Sequence, residues 1–421
     1  MHSVLLVGSG GREDALAWKL SQSSAVSNIW VLPGNDAMTR HVKVQRIVET
    51  ATPEGILAVA QKKNPSLIMI GPEQPIVDGA ADLLRAHGFA VCAPSAKAAQ
   101  LEGSKIFSKH FMDEFAIPTA KSVSCDSYEQ AVLALEEWDF SDGIVIKTDA
   151  LAGGKGVVLC DTKEQASTVI HQFMRDPNIK VKTKRILFEE KLHGREVSAF
   201  ALLSGSKVCS IGYACDYKRA FDGDKGPNTG GMGTYTPQGW PSQSHKQQIS
   251  DIFSRVAKGM ELRGHPYVGV LFAGLMIDGE DVNVIEFNIR FGDPETQVLM
   301  PTIDEDLFPL LQGAANGNLP NREVASKGCA LHVVLASKGY PSIGEHPVHT
   351  GFPIQIQEDQ NALLFFAGVR EKDGVLCTSG GRVMGVTGRG NTLEEAKQEA
   401  YHNVPYVHFD GMHHRSDIGK Q

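Results

Sequence analysis

Apolar positions in the first hundred residues fall into short runs separated by stretches of helical spacing. "VLLV" (4–7) is a compact apolar run, and "GREDALAWKLSQS" after it has the three-to-four spacing of a helix. "NIWVL" (28–32), "SLIMIG" (66–71) and "FAVCAP" (89–94) repeat the strand pattern. Thr52-Pro53-Glu54 opens a helix with an N-cap, a proline in the first turn and an acid. "DGAADLLRAHG" supplies another helix, ending at Gly88. Strand and helix in this rhythm predict an open parallel α/β domain over residues 1–103.

The pattern then changes. From 144 to 215 the runs read mainly as strands: "GIVIKT", "GVVLC", "RILFEEKL", "REVSAFALLS" and "KVCSIGYAC". One helix interrupts them at "TKEQASTVIHQFM", where Thr162 and Gln165 have capping-box spacing. A glycine-rich segment at 222–235 precedes a helix near 245–262. A hairpin follows, "GVLFAGLMI" and "VNVIEF" joined by "DGED", and helical spacing continues to about 316. Polar "GNLPNREVASKG" reads as a linker. The last 95 or so residues are strand-rich, with a final helix opened by Thr392 and Glu395.

Composition narrows the function classes. The 421 residues are 42% hydrophobic and 21% charged, with a net charge of −8. No basic block exists to meet nucleic acid. No run approaches the ~18 apolar residues of a membrane span. The seven cysteines are irregularly spaced and form no CxxC pair, so they read as buried, reduced thiols of a cytoplasmic protein.

Two glycine loops invite a nucleotide reading, and both depart from the familiar motifs. "DALAGGKG" (149–156) resembles a Walker loop, yet Asp149 stands where its first glycine belongs and Gly156 where its Ser or Thr belongs. β-Branched "VVLC" follows instead of a helix. The segment therefore reads as a loop between antiparallel strands, with Gly153, Gly154 and Gly156 freeing amides to face an anion. "GSGGRE" follows a strand and opens a helix, but a dinucleotide fingerprint from Gly8 needs glycine where Glu13 stands. A substrate phosphate, a dinucleotide and plain packing all remain open there.

"VIEFNIRFGDPE" (284–295) is the second strong feature. Glu286 and Asn288 are two apart on a strand and share a face, forming a hard-oxygen pair of the kind Mg²⁺ uses with phosphates. Regular alternation puts Val284 on that same face and Ile285 and Phe287 on the core side. Arg290, Asp293 and Glu295 close the segment. The preceding strand offers no acid to complete the site, only Asp278 at the turn. Lys147 ends an apolar strand just before the glycine loop, where it can meet phosphate as a point charge, and Lys105 begins a helix.

In this order the two lysines, the glycine loop, the acidic "FEEKL" segment and "EFNIRFGDPE" resemble the ATP-grasp superfamily. With "GPEQPIVDG", "GPNTGGMGTYTP", "FAGLMI", "GGRVMGVTGRG" and "SDIG", the whole chain is similar to the phosphoribosylamine–glycine ligase family. The resemblance implies three domains: residues 1–103, an ATP-grasp domain of two α+β subdomains over 104–318 with a mobile lid at about 120–192, and a small strand-rich domain over 325–421. It implies ligation of glycine to 5-phosphoribosylamine in purine synthesis through glycyl phosphate, with ATP and Mg²⁺ or Mn²⁺, in a cytoplasmic monomer or weak dimer. A sister ligase with another amine or acid is the alternative.

The roles implied follow the matched motifs. Lys105, Lys147, Gly153, Gly154, Lys155 and Gly156 hold ATP phosphates, and Lys155 also acts in catalysis. Glu189 and the backbone of Glu190 to Leu192 meet adenine, and Glu196 meets ribose. Glu286 and Asn288 hold the metal. Arg290 stabilises the transferring phosphoryl charge, and Asp216 joins it in catalysis. Asn228, Thr229, Gly230, Asp293 and Glu295 shape the glycine and amine pocket. Gly8, Gly10, Gly11, Gly71, Pro72 and Glu73 hold the phosphoribosyl part. Asp14, Tyr217 and Phe366 stand where the family usually has histidine.

Overall fold

In a computed structural model, residues 1–151, 156–177, 179, 183–342, 347–357 and 363–420 are described. The four N-terminal apolar runs, joined by a short edge strand at Val44–Arg46 that the pattern did not mark, form a five-stranded parallel sheet in the order Val44–Arg46, Val26–Pro33, His2–Gly8, Leu67–Ile70, Val91–Cys92. Strand order reverses between His2–Gly8 and Leu67–Ile70. In such sheets the crevice beyond the carboxyl ends of the strands at that reversal is the ligand position. Gly8 and Gly71 both lie there.

A second layer is a four-stranded antiparallel sheet in the order Ser122–Cys125, Ile186–Glu189, Ile144–Thr148, Val157–Cys160. The helices Tyr128–Glu137 and Lys163–Arg175 cover it with their own small core, including Ala131, Leu135, Ile170 and Phe173. Thr162 caps the second helix by accepting the Gln165 N–H.

The largest sheet has nine strands. Its order begins at Asp281–Asn288 and Val268–Asp278, runs through Arg195–Ser204, Lys207–Asp216 and Gly233–Tyr235, and ends at Cys329–Ala336, Arg382–Gly390 and Leu363–Phe366. Strands of the C-terminal region therefore continue the central sheet through the Gly233–Tyr235 edge. The polar stretch expected to be a linker is tied down: Arg322–Glu323 pairs in parallel with Lys207–Asp216, and Asn321 Oδ1 accepts the Val208 N–H. Satisfying backbone groups at that exposed edge outweighs the loop-like composition. All seven cysteines are buried and unpaired.

Candidate active site

The strand Asp281–Asn288 carries the first correction. Its pairing with Val268–Asp278 slips at Gly274/Leu275, so Glu286 faces Gly274 while Val284 faces Leu275. Ile285 is the extra residue of a bulge. Simple alternation is broken there: Val284 joins Val282, Phe287 and Ile289 in the core, and Ile285 does not. Glu286 and Asn288 lie beyond the slip and keep a common face, with Asn288 Nδ2 3.4 Å from Glu286 Oε1. Gly274 leaves room opposite; a Cβ there would sit 3.3 Å from Glu286 Cγ.

Three lysines surround that face. Burial opposes ionisation of Glu286, but Lys218, Lys147 and Lys105 outweigh it and hold its carboxyl below the usual range. Among the described residues, no group of three or more His, Cys, Asp or Glu side chains is placed to share a metal ion. One carboxylate and one amide oxygen fit Mg²⁺, which takes few protein ligands and completes its shell with phosphate and water oxygens.

The glycine loop joins two antiparallel strands, as its composition predicts. Lys147 pairs with Val157, and the Thr148 N–H donates to Gly156 O at 2.8 Å. Gly153, Gly154 and Lys155 lie outside the described residues. Asp149, which spoils the Walker pattern, has a structural task. Its Oδ1 accepts from Ser104 Oγ at 2.8 Å and from the Ile106 N–H at 3.1 Å, fastening the loop stem to the start of the helix Lys105–Glu114. Lys105 Nζ donates to Ala150 O at 3.1 Å.

Glu189 is held by two lysines. Its carboxylate is buried between Lys147 at 2.5 Å and Lys109 at 3.2 Å. Both oxygens meet lysine, so it serves as their shared counter-ion. Lys147 also donates to Ile285 O at 3.2 Å, which ties the end of its strand to the bulge. Glu190 is exposed, paired with Lys121 at 3.4 Å, and Leu192 is half-buried in the connection to the next strand. Glu196 pairs with Lys218 at 2.5 Å, both about half-exposed.

Arg290 is held between carboxylates: Nε is 3.3 Å from Glu73, and Nη2 is 3.1 Å from Glu102 and 3.2 Å from Asn288 Oδ1. Glu102 also accepts the Ile289 N–H at 2.8 Å. Arg290 thus links the Glu286–Asn288 pair to Glu73 in the N-terminal crevice. Asp293 lies at a junction of all three regions. It accepts from the Arg12 N–H at 3.3 Å, Gln297 Nε2 at 3.0 Å and Arg382 Nη2 at 3.2 Å. Burial works against its charge, yet Arg382 and Arg12 prevail and bring its carboxyl down to about 2.

The N-terminal glycines have partners of their own. The Gly10 N–H donates to Glu13 Oε2 at 2.7 Å, and Glu13 also pairs with Arg12 at 2.6 Å. A Cβ on Gly8 or Gly71 would collide with the Glu13 side chain, and one on Gly11 would press Gln297 Nε2 at 2.6 Å. Glu13, the residue that breaks the dinucleotide fingerprint, fills the space between the two strand ends. The amides of Gly10 and Arg12 therefore already have carboxylate acceptors. Pro72 N-caps the short helix Glu73–Val77.

Asp216 and Glu295 repel one another across the site. Burial, reinforced by Asp216, pushes the Glu295 carboxyl up to about 7. The unfolded group ionises near 4.5. Between these values the folded chain keeps a proton that the unfolded chain has lost, so this group's stabilisation is present at low pH and lost as pH rises through the window. Glu295→Gln is expected to raise the thermal midpoint more at pH 8 than at pH 5. Equal shifts at both pH values, in parallel melting scans, would contradict this.

Three family models for phosphoribosylglycinamide synthetase match the chain: the N domain over residues 2–102, the ATP-grasp (A) domain over 103–296 and the C domain over 330–421. The chain belongs to the phosphoribosylglycinamide synthetase family. It is 41% identical to the phosphoribosylamine–glycine ligase of Ralstonia nicotianae, over 99% of this chain and 98% of that one. It is 40% identical to the ligase of Vibrio cholerae, over 99% and 97%. The crystal structure of the Thermotoga maritima ligase superposes with a TM-score of 0.86 at 35% identity, covering 99% of this chain and 100% of that one. A biotin carboxylase from Campylobacter jejuni shares the fold at 13% identity and a TM-score of 0.74, covering 98% and 93%.

Within this family frame, several site residues were not singled out by sequence: Lys109, Glu102, Lys218, Glu13 and Arg382. Each sits beside a recognised motif, but its role depends on a partner far along the chain. Two of the replaced histidines meet. Asp14 is fully buried, pairs with Arg40 at 2.6 Å and His41 at 2.9 Å, and accepts the Phe366 N–H at 2.7 Å. Arg40 also lies over the Phe366 ring at 4.3 Å. Tyr217 is elsewhere, binding the C-terminal segment through Lys420 O at 2.8 Å.

Proposed function

We propose that the chain joins glycine to 5-phosphoribosylamine, converting ATP to ADP and phosphate, as a step of purine synthesis. The observation that carries this reading is the Glu286–Asn288 face, ringed by Lys105, Lys147 and Lys218 and joined through Arg290 to the N-terminal crevice. A polyphosphate and a carboxylate both suit such a cationic rim around one hard-oxygen pair.

Lys105, Lys147 and the 149–157 hairpin hold the phosphates, with about 120–192 acting as lid. The backbone of Glu190 to Leu192 meets adenine, and Glu196 meets ribose. Glu286 and Asn288 hold Mg²⁺ or Mn²⁺, which when bound neutralises phosphate charge. A glycine carboxylate oxygen attacks the γ-phosphorus, and ADP leaves. The amine of phosphoribosylamine then attacks the acyl carbon, phosphate leaves, and the nitrogen gives up a proton. Carboxylate is inert toward amines, so phosphorylation supplies the leaving group, and the protein supplies position and charge. Arg290 stabilises the charge of the transferring phosphoryl group. Asp216, Asn228, Thr229, Gly230, Asp293 and Glu295 form the pocket for glycine and amine. The crevice at Gly8–Gly11 and Gly71–Glu73 takes the phosphoribosyl part, where Arg290 and Arg12 both act on Glu73. We read the protein as a cytoplasmic monomer or weak dimer; the seven unpaired cysteines support a reducing compartment.

The test is ADP release from Mg-ATP and phosphoribosylamine, with and without glycine. Release is expected to depend on glycine. Release indifferent to glycine would sink the reading, and preference for another amino acid or amine would favour a sister ligase.

A further inference from the structure

Arg382 opens the strand Arg382–Gly390, which is hydrogen-bonded on one side to Cys329–Ala336 and on the other to Leu363–Phe366. Its backbone is thus fixed inside the C-terminal part of the large sheet. Its side chain reaches out of that sheet to two segments distant in sequence. Nη1 donates to Gly230 O at 2.6 Å and to Asp293 O at 2.7 Å, and Nη2 lies 3.2 Å from Asp293 Oδ1. Tyr340 assists: its hydroxyl accepts the Gly230 N–H at 3.0 Å.

The fit is close. A Cβ on Gly230 would sit 3.1 Å from Arg382 Cζ. Gly231 has φ +112, and a Cβ there would run into Pro294. Glycine at these two positions lets the 228–231 segment lie flat between the guanidinium and the Asp293–Glu295 turn. A planar cation with several fixed donors can hold two backbone carbonyls and a carboxylate together; an ammonium presents one point charge and cannot match that fork. Asp293 in turn accepts the Arg12 N–H from the N-terminal domain.

We infer that Arg382 is a positioning residue for the amine and glycine pocket: it locks the Gly230 and Asp293 segments into one surface and makes the C-terminal domain part of the active site. This rests on the ligase reading above for the identity of the pocket's occupants. Among the described residues, the guanidinium makes no hydrogen bond to Lys105, Lys147 or the Glu286–Asn288 face, and it reaches Arg290 and Glu295 through charge alone.

The experiment compares the parent with Arg382→Gln, Arg382→Lys and Arg382→Ala in the full chain. KM for glycine and for phosphoribosylamine is expected to rise about tenfold to a hundredfold in Arg382→Gln, the cost of losing charge-assisted hydrogen bonds. KM for ATP is expected to stay within about twofold, since no hydrogen bond to that side is lost. Arg382→Lys is expected to recover little, and added guanidinium is expected to restore part of the activity of Arg382→Ala. Amide hydrogen exchange supplies a readout independent of turnover: exchange is expected to quicken at 228–231 and 292–295 while 384–390 stays protected. A parent without glycine-dependent turnover would defeat the ligase reading, and exchange would still decide on Arg382. Unchanged exchange at the two segments, or loss of protection across the whole C-terminal sheet with all three KM values moving together, would overturn the inference.

Discussion

Glu286→Gln is expected to lower turnover by about a hundredfold to a thousandfold, the scale seen when one preorganised charge-stabilising group is removed. The substitution keeps the shape and the neighbouring Asn288 contact but removes the charge that Lys218, Lys147 and Lys105 jointly stabilise. Two consequences separate this from general damage. The Mg²⁺ concentration needed for half-maximal rate is expected to rise, because a neutral amide is a poorer partner for a hard dication. Binding of metal-free nucleotide is expected to persist or tighten, because Glu286 then no longer competes with phosphate for the three lysines. Asn288→Ala is expected to move in the same direction with a smaller change. Rate measured against Mg²⁺ concentration, together with nucleotide titration in chelator, checks both. A Glu286→Gln enzyme within about threefold of the parent at limiting Mg²⁺ would refute the metal assignment.

Arg290→Met is expected to cost both activity and stability. Arg290 is the cation between Glu73 and Glu102, and its side chain is only 16% exposed. Burial, with Glu73 and Glu286 adding repulsion, already raises the Glu102 carboxyl above its usual value despite Arg290. Removing the arginine leaves a buried charge without its partner, a loss of about 3–5 kcal/mol. The sign with pH follows from the raised Glu102. Its burden on the folded state grows as pH rises through its ionisation and is relieved when it is protonated. The melting difference between parent and Arg290→Met is therefore expected to be largest at neutral to alkaline pH and to shrink toward pH 4. The double variant Arg290→Met/Glu102→Gln is expected to regain part of the midpoint but no turnover. Recovery of both would mean that Arg290 acts as scaffold alone.

Single residues that broke a sequence pattern did so for structural reasons. Asp149 and Glu13 each spoiled a phosphate-loop motif, and each proved to be a tie: Asp149 to the helix Lys105–Glu114, Glu13 to the amide of Gly10 and the space beside Gly71. Alternation along "VNVIEFN" rightly put Glu286 and Asn288 together, yet it misplaced Val284 and Ile285. A bulge shifts register by one residue, and periodicity cannot see one from inside a single strand. The family resemblance marks Glu189 as an adenine contact and says nothing of its ion pairs. Its two lysines, Lys109 and Lys147, stand 80 and 42 positions earlier in the chain, and no local pattern links them to it.

The strand–helix rhythm of the parallel N-terminal sheet, the antiparallel strands on either side of the 149–156 loop and the common face of Glu286 and Asn288 were determined by sequence. They depend on side-chain period, turn chemistry and motif spacing, which are local. Tertiary structure alone decided which charges face which. The shared counter-ion at Glu189, the clamp of Glu73 and Glu102 on Arg290, the Asp14–Phe366 contact and the reach of Arg382 to Gly230 and Asp293 all join residues from separate elements. Their energies fall steeply with distance and depend on burial. Both quantities come into being only when the sheets pack.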